Sequence, residues 1–300
     1  MLVASIGYAQ QDAQFTQYMY NTMAINPAYA GLRDRLSVFA LHRTQWVGLE
    51  GAPVTNNVSI HSPIGYDNKM GLGLSIINDK IGPSDESDIG VNFSYNVNTS
   101  DRYKLSFGIK GSVNLLNIDF SKLTYLTRSD ANFENNVDNK LSPNIGAGLY
   151  LYSDNTYVGL SVPNFLETNH FDKYSNNGSV SYIAKERLHY YFTAGHVLDL
   201  SETVRFKPAF IAKMTQGAPL QVDLSGNFLI NEKFLIGGAY RWSAAVSAMV
   251  GFQVSDSWFV GYGYDLETTR LAHFNSGSHE VFLRYELFNR YDRIISPRFF

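Results

Sequence analysis

Apolar and polar residues alternate along most of this chain with a period of two. The clearest stretch is 102–115, R-Y-K-L-S-F-G-I-K-G-S-V-N-L. Tyr103, Leu105, Phe107, Ile109, Val113 and Leu115 share one parity, while Arg102, Lys104, Ser106, Lys110, Ser112 and Asn114 share the other. Alternate side chains of an extended strand point to opposite faces, so one face here is apolar and the other carries the cations. The same split recurs in 69–76, 89–98 and 280–287, with charge confined to one parity. Taken singly, such a strand suits a sheet half-buried in a soluble core as well as a wall between lipid and water.

The number of strands and their connections separate the two. The pattern predicts fourteen strands, at 35–47, 54–62, 69–79, 88–98, 102–116, 141–152, 156–162, 187–198, 203–214, 220–230, 233–242, 245–254, 258–266 and 279–288. Every second connection is short: 63–68, 99–101, 153–155, 201–202, 231–232 and 255–257. The others include 117–140, 163–186 and 267–278, which are long, polar and rich in aromatics. An even strand count with short turns at one end and long loops at the other is the arrangement of outer-membrane barrels. The expected fold is therefore all-β, a transmembrane antiparallel up-and-down β-barrel over 35–288. Two strands depart from the pattern. Pro208 removes a ladder donor and predicts a bulge or an unpaired position, and 156–162 is short for a spanning strand, so either pairing continues past Pro163 or the wall is low there.

Gly71, Gly73, Gly108, Gly261 and Gly263 fall on the polar parity of their strands. Either they relieve curvature, or they let another backbone lie against the inner wall. The second reading suits 10–34, a segment without alternation and broken by Asn26-Pro27 and Gly31, as a periplasmic or lumenal plug. Before it, M-L-V-A-S-I-G-Y-A-Q-Q-D resembles the end of a secretory signal, with Gly7 and Ala9 placed for cleavage before Gln10, although no basic region precedes it. The tail 289–300, NRYDRIISPRFF, is basic and aromatic and is expected in the periplasm by strand parity.

Composition narrows the function classes. The formal net charge of -3 gives no basic surface for nucleic acid. Aromatics at 14% fit interfacial girdles. The absence of cysteine removes disulfides, thiolate metal sites and cysteine nucleophiles. No apolar run of about 18 residues is present, so a membrane crossing has to be made by strands. The seven histidines show no H-E-x-x-H spacing, and there is no G-x-S-x-G elbow or Walker loop. No catalytic, metal or cofactor site is expected. Asp223, Glu280 and Glu286 are expected to face the lumen beside Lys110, Arg205, Lys207 and Arg284 as a satisfied structural network.

Several non-repeating motifs occur in order: QFTQYMYNTMAINPAYAG (14–31), RTQWVGLEGAPVT (43–55), SIHSPI (59–64), GLGLSIINDKIGP (71–83), GAPLQVDL (217–224) and FNSGSHE (274–280). In these the chain resembles the PorP/SprF family of type IX secretion and gliding-motility outer-membrane proteins of Bacteroidetes. The resemblance implies a non-enzymatic barrel that docks or anchors a secreted protein, such as an adhesin or another C-terminal-domain substrate, at the cell surface, or links the translocon to periplasmic partners. The partners it implies are that secreted protein, periplasmic type IX components and outer-membrane lipid. The candidate partner-binding residues are Asn26, Pro27, Tyr29, Gly31, Trp46, Gly48, Gly51, Pro53, Phe165, Phe171, Tyr174, Pro219, Phe274, Asn275, Pro297 and Phe300. Rim aromatics, including Tyr125 and Phe133, serve equally as girdle residues or as anchors of the kind that dominate interfaces. An outer-membrane channel for small or hydrophobic solutes is the alternative, and a soluble all-β binding protein is a third reading.

Overall fold

The structure, a computed structural model, describes residues 15–122, 136–167 and 188–287, together with the backbone of two three-residue strands between them. The strands are β1 (Leu36–Thr44), β2 (Val54–Ile64), β3 (Met70–Ile81), β4 (Ser84–Asn98), β5 (Lys104–Ile118), β6 (Val137–Tyr152), β7 (Thr156–Val162), β8 (Asp172–Tyr174), β9 (Val180–Tyr182), β10 (His189–His196), β11 (Leu198–Asp199), β12 (Val204–Thr215), β13 (Gln221–Ile230), β14 (Phe234–Arg241), β15 (Ala245–Gln253), β16 (Trp258–Glu267) and β17 (Ser278–Leu287). Every barrel strand pairs antiparallel with its neighbours in sequence, and β10 joins β7 to β12. The first strand closes on the last, from Leu36 opposite Leu287 to Thr44 opposite His279. The ring is a closed 14-strand barrel, with β11 continuing β10 and β8–β9 forming a separate hairpin.

The two faces are inverted relative to a soluble protein. On β5, Ser106 is fully buried and Lys110 nearly so, whereas Phe107 is 47% and Ile109 62% exposed. The same holds around the wall, where Leu72, Val91, Leu149, Val250 and Val281 are exposed while Ser75, Asn92, Asn144, Ser247 and Glu280 are buried. A one-residue slip would exchange these sets, so lipid outside and a packed lumen inside fix the register of each strand.

Pairing resolves both irregularities: an unpaired stretch lies opposite Pro208, and the pairing of β7 continues past Pro163. The β10 ladder with β12 stops after Gly195 opposite Ala209 and resumes as β11 at Leu198 opposite Phe206. The break faces Pro208, whose missing N–H leaves a gap without changing register, and on its other side Pro208 pairs with Gly226. After Pro163 the backbone of β7 bonds again to β6, Phe165 N–H to the carbonyl of Ile145 at 2.8 Å.

The wall is taller on one side than its alternation indicates. β4 starts at Ser84 and β6 at Val137, each four residues before the apolar pattern begins, and β3 meets β4 across Gly82-Pro83 alone. Above the lipid both faces meet water, so the hydrophobic period disappears while the hydrogen-bond ladder continues. Polar contacts replace it, as where Asn78 Nδ2 donates to Asp85 Oδ1 at 2.7 Å.

With the apolar face turned outward, the buried apolar core lies in the lumen and is built on residues 15–32. Phe15, Tyr18, Met19, Tyr20, Met23, Ile25 and Tyr29 pack against Phe39, Tyr150, Tyr157, Phe259 and Phe282 of the wall. Aromatic side chains of the wall thus join the serines, asparagines and charged groups of the lumen face. A short helix, α1 (Thr22–Ile25), and a 3₁₀ turn, Pro27–Tyr29, make up the ordered part of this segment. Asn26 caps the turn by accepting from Ala28 N–H at 3.0 Å, and Pro27 fits its first position.

The lumen glycines divide between the two readings. A Cβ on Gly108 would overlap the backbone of Pro27 and Ala28, one on Gly71 the carbonyl of Ala30, and one on Gly73 the side chain of Met23. Gly263 faces Gln17 in the same way, whereas Gly261 is covered by the Phe282 ring of the wall. Close approach of the inner segment therefore accounts for four of the five glycines singled out.

Two predictions follow from this arrangement. Ile109→Arg places a charge on the lipid face and should destabilise the folded barrel by about 2–4 kcal/mol if the site lies at the midplane, read from denaturant unfolding in lipid vesicles. Gly108→Leu should unseat the inner segment and open Tyr18, Tyr20 and Tyr29 to chymotrypsin while strand content holds. Gly111→Ala, on the same strand with open space at its Cα, should leave cleavage unchanged. Equal effects of the two glycine changes would assign these positions to curvature instead.

Candidate functional site

The site divides into the inner segment, its charged anchors and the rim at the long-loop end. Turn bonds within the segment, such as Tyr20 N–H to the carbonyl of Gln17 and Asn26 N–H to that of Thr22, both at 2.9 Å, satisfy many of its donors, and the wall takes several of its carbonyls. Ser161, Ser106 and Ser94 each donate a hydroxyl, at 2.7 Å, to the carbonyls of Ile25, Ala28 and Ala30. Asn26 Nδ2 donates to the carbonyl of Leu149 at 3.1 Å, and Gly31 N–H to His61 Nδ1 at 3.1 Å. Tyr29 meets His61 and Tyr150 edge-on, with centroids 5.8 and 5.6 Å away.

At the long-loop end the segment is held by a buried cluster contributed by three strands. Arg43 of β1 reaches Asp265 of β16 at 2.6 Å and Glu280 of β17 at 3.2 Å. Its Nη1 also donates to Thr16 Oγ1 at 2.7 Å, and that hydroxyl donates to Asp265 Oδ2 at 2.6 Å. The backbone N–H groups of Thr16 and Gln17 both donate to Glu280 at 3.0 Å. A buried carboxylate needs its remaining lone pairs filled, and for Glu280 the inner segment fills them.

The short-turn end carries a second cluster. Arg33, just before β1, pairs with Glu286 of β17; Arg35 and Arg284 approach the same carboxylate at 4.0 and 3.5 Å. The Arg284 guanidinium also lies over the rings of Phe259 and Tyr20, at 5.0 and 5.6 Å. Tyr20 stacks on Phe282 at 4.9 Å. The segment thus crosses the lumen from the long-loop end at Thr16 to the short-turn end at Arg33.

The charged network expected from the sequence is present, with different partners. Asp223 pairs with Arg241 at 2.9 Å, and Lys110 with Asp88 at 2.7 Å. Arg205 lies at the short-turn edge, where it binds Asp199 and Glu232. Sequence reading missed Arg43, Asp265 and Arg33, because nothing local relates residues more than two hundred positions apart.

The candidate partner-binding residues separate into four groups. Asn26, Pro27, Tyr29 and Gly31 are buried against the wall, where no outside partner touches them while the segment is seated. Trp46, Gly48, Gly51, Pro53, Phe274 and Asn275 come together at the long-loop rim. There the Val47 N–H donates to the carbonyl of Gly277 at 2.9 Å, and Ser276 N–H to that of Val47 at 2.7 Å. Trp46 Nε1 donates to Glu267 at 2.9 Å, while Gly82 N–H reaches the carbonyl of Gly51 at 2.9 Å. Trp46 and Gly48 adopt positive φ, 46° and 99°, and bend this loop inward to its neighbour. Asn275 Nδ2 closes its own turn on the carbonyl of Leu271 at 2.6 Å, leaving Phe274 68% exposed at the tip. Pro219 and Phe165 are exposed elsewhere along that end. Phe171, Pro297, Phe300 and the side chain of Tyr174 lie outside the described residues, as do Tyr125 and Phe133.

Among the described residues no cluster of histidine and carboxylate side chains is arranged to hold a metal.

Solved structures share the architecture. The chain is similar to the CymD monoaromatic hydrocarbon channel at 12% identity, over 95% of each chain, with a TM-score of 0.53. It is also similar to the outer membrane protein Omp33 of Acinetobacter baumannii, at 8% identity over 86% of this chain and 100% of that one, with a TM-score of 0.48. A FadL homologue of Pseudomonas aeruginosa matches at 12% identity over 88% and 94%, with a TM-score of 0.47. At such identities the first likeness carries the fold alone. No protein with a curated description matches the chain. The family described as type IX secretion system membrane protein PorP/SprF matches residues 7–285, nearly the whole barrel and its inner segment. Closed, lipid-facing and so matched, the chain is an outer-membrane barrel that belongs to the PorP/SprF family of type IX secretion membrane proteins.

Proposed function

We propose that this protein is a docking partner in type IX secretion, holding a secreted protein at the extracellular, long-loop face of the outer membrane. The observation that carries the reading is the filled lumen. Residues 15–32 occupy the barrel with almost every side chain buried and are anchored by ionic clusters at both ends. A barrel used as a conduit needs a water-filled or clearable path, whereas a docking barrel needs only a rigid rim. The rim formed by 45–53 and 268–277 is cross-tied by backbone hydrogen bonds and presents Phe274 to solvent. Exposed aromatics on a fixed scaffold are the anchors that dominate protein interfaces. The short-turn face remains for periplasmic components of the same system, and the tail 289–300 is proposed to contact them.

Purification of the full chain in mild detergent from native membranes should recover a secreted protein with it. Phe274→Asp should lower that recovery at least tenfold while the barrel still inserts and resists unfolding. Liposomes holding the wild-type protein should take up small solutes no faster than empty ones. Solute uptake with no co-purifying secreted protein would contradict the docking role and support a channel.

A further inference from the structure

The inner segment has a direction, and its two charged clusters fix it. At the carboxyl end Arg33 pairs with Glu286, whose own N–H donates at 2.9 Å to the carbonyl of Ser257, in the short turn between β15 and β16. At the amino end the N–H groups of Thr16 and Gln17 donate to Glu280, and Thr16 Oγ1 meets Asp265 and Arg43. Those three strand residues lie one or two positions from the long-loop ends of β17, β16 and β1. Glu280 and Glu286 are six positions apart on one strand, about 20 Å at the usual rise. The chain therefore comes down the lumen from the long-loop mouth and turns into β1 at the short-turn end. With almost every side chain of 15–32 buried, the lumen holds a single passage of the chain among the described residues.

Five residues, 10–14, separate Phe15 from the cleavage point expected before Gln10. Fully extended they reach about 17 Å, short of the roughly 25 Å apolar band that such a wall presents. They cannot return to the periplasm through a lumen already filled. We propose that the mature chain starts on the outer surface of the cell, and that its amino terminus is part of the docking face. An even number of strands places both ends of a barrel in the periplasm; here the segment ahead of β1 carries one of them across. The terminus emerges beneath the rim. Trp46 is tied there to Ser278 Oγ at 3.2 Å and to Glu267 at 2.9 Å, each two positions from a carboxylate that holds Thr16. The sequence brought to this place, Q-Q-D-A-Q, adds a polar border to a rim whose exposed anchor is Phe274, the division found across protein interfaces. The role in docking rests on the function proposed above; the location of the terminus does not.

The chain has no cysteine, so a single introduced thiol reports which side of the membrane it occupies. The full chain carrying Asp12→Cys, or Asp101→Cys in a short turn, is treated with a membrane-impermeant maleimide in intact cells and again after the outer membrane has been opened. Asp12→Cys should label in intact cells at least tenfold more than Asp101→Cys, which should label only after opening. Gln11→Cys replaces Asp12→Cys if that variant fails to insert. Adding Phe274→Asp, which removes the rim's partner, should raise the labelling of Asp12→Cys at least threefold. Labelling of Asp12→Cys only after opening, or in neither state, would overturn the location. Labelling in intact cells that Phe274→Asp leaves unchanged, while the partner is still lost, would take the terminus out of the docking face. Failure of the docking reading itself shows separately, as no secreted protein recovered with the barrel.

Discussion

A strand wall in lipid must turn its apolar face outward, and this constraint organises everything inside it. The chain cannot bury its leucines and valines against one another, because acyl chains already cover them. Its internal core is made instead from a segment outside the alternating pattern, whose aromatic side chains meet a ring of inward phenylalanines and tyrosines. Close approach is possible only because the wall omits side chains at Gly71, Gly73 and Gly108. The wall serines that accompany those glycines then satisfy carbonyls that would otherwise be buried without a partner. Glycine and serine, poor material for an ordinary sheet, are here the surface on which the inner segment rests.

Much of the wall was legible from residues alone. Alternation in 102–115 or 280–287 reports which side chains meet lipid, and short turns alternating with long loops report which end is which. Legibility fails wherever the local pattern has more than one cause. Above the lipid, 84–87 are polar on both faces and 137–140 hold a single apolar residue, Val137, so their strands were invisible to a hydrophobic period. On β1, Phe39 and Leu41 face inward while Val38 and Ala40 share the outward parity, and an apolar run on both faces has no period to read. Glycine within a strand carries the same signature whether it relieves curvature or receives a backbone. The Arg43–Asp265–Glu280 cluster was out of reach for another reason: its members meet only once the barrel closes β1 on β17.

The functional site was legible in part. The motif around Asn26 and Pro27 stood out as non-repeating, yet its residues are buried and shape the turn that seats the segment. The motifs around Trp46 and Phe274 lie far apart in sequence and close together in space, because β1 and β17 are neighbours in the ring. Their mutual hydrogen bonds give the rim a fixed shape, and a fixed rim above a filled lumen is better matched to holding a partner than to passing a solute. Family membership and geometry thus agree on a secretion-associated outer-membrane barrel, and the proposal that it holds a secreted partner turns on the rim.

The occupied lumen is the premise on which these arguments rest. Hydrogen–deuterium exchange of the wild-type protein in lipid nanodiscs measures it directly at the amides of 20–31. The account predicts protection there comparable to that of β4 and β5, because these amides are enclosed by the wall. Exchange as fast as in the exposed loops, with the strands still protected, would show an empty barrel and contradict it.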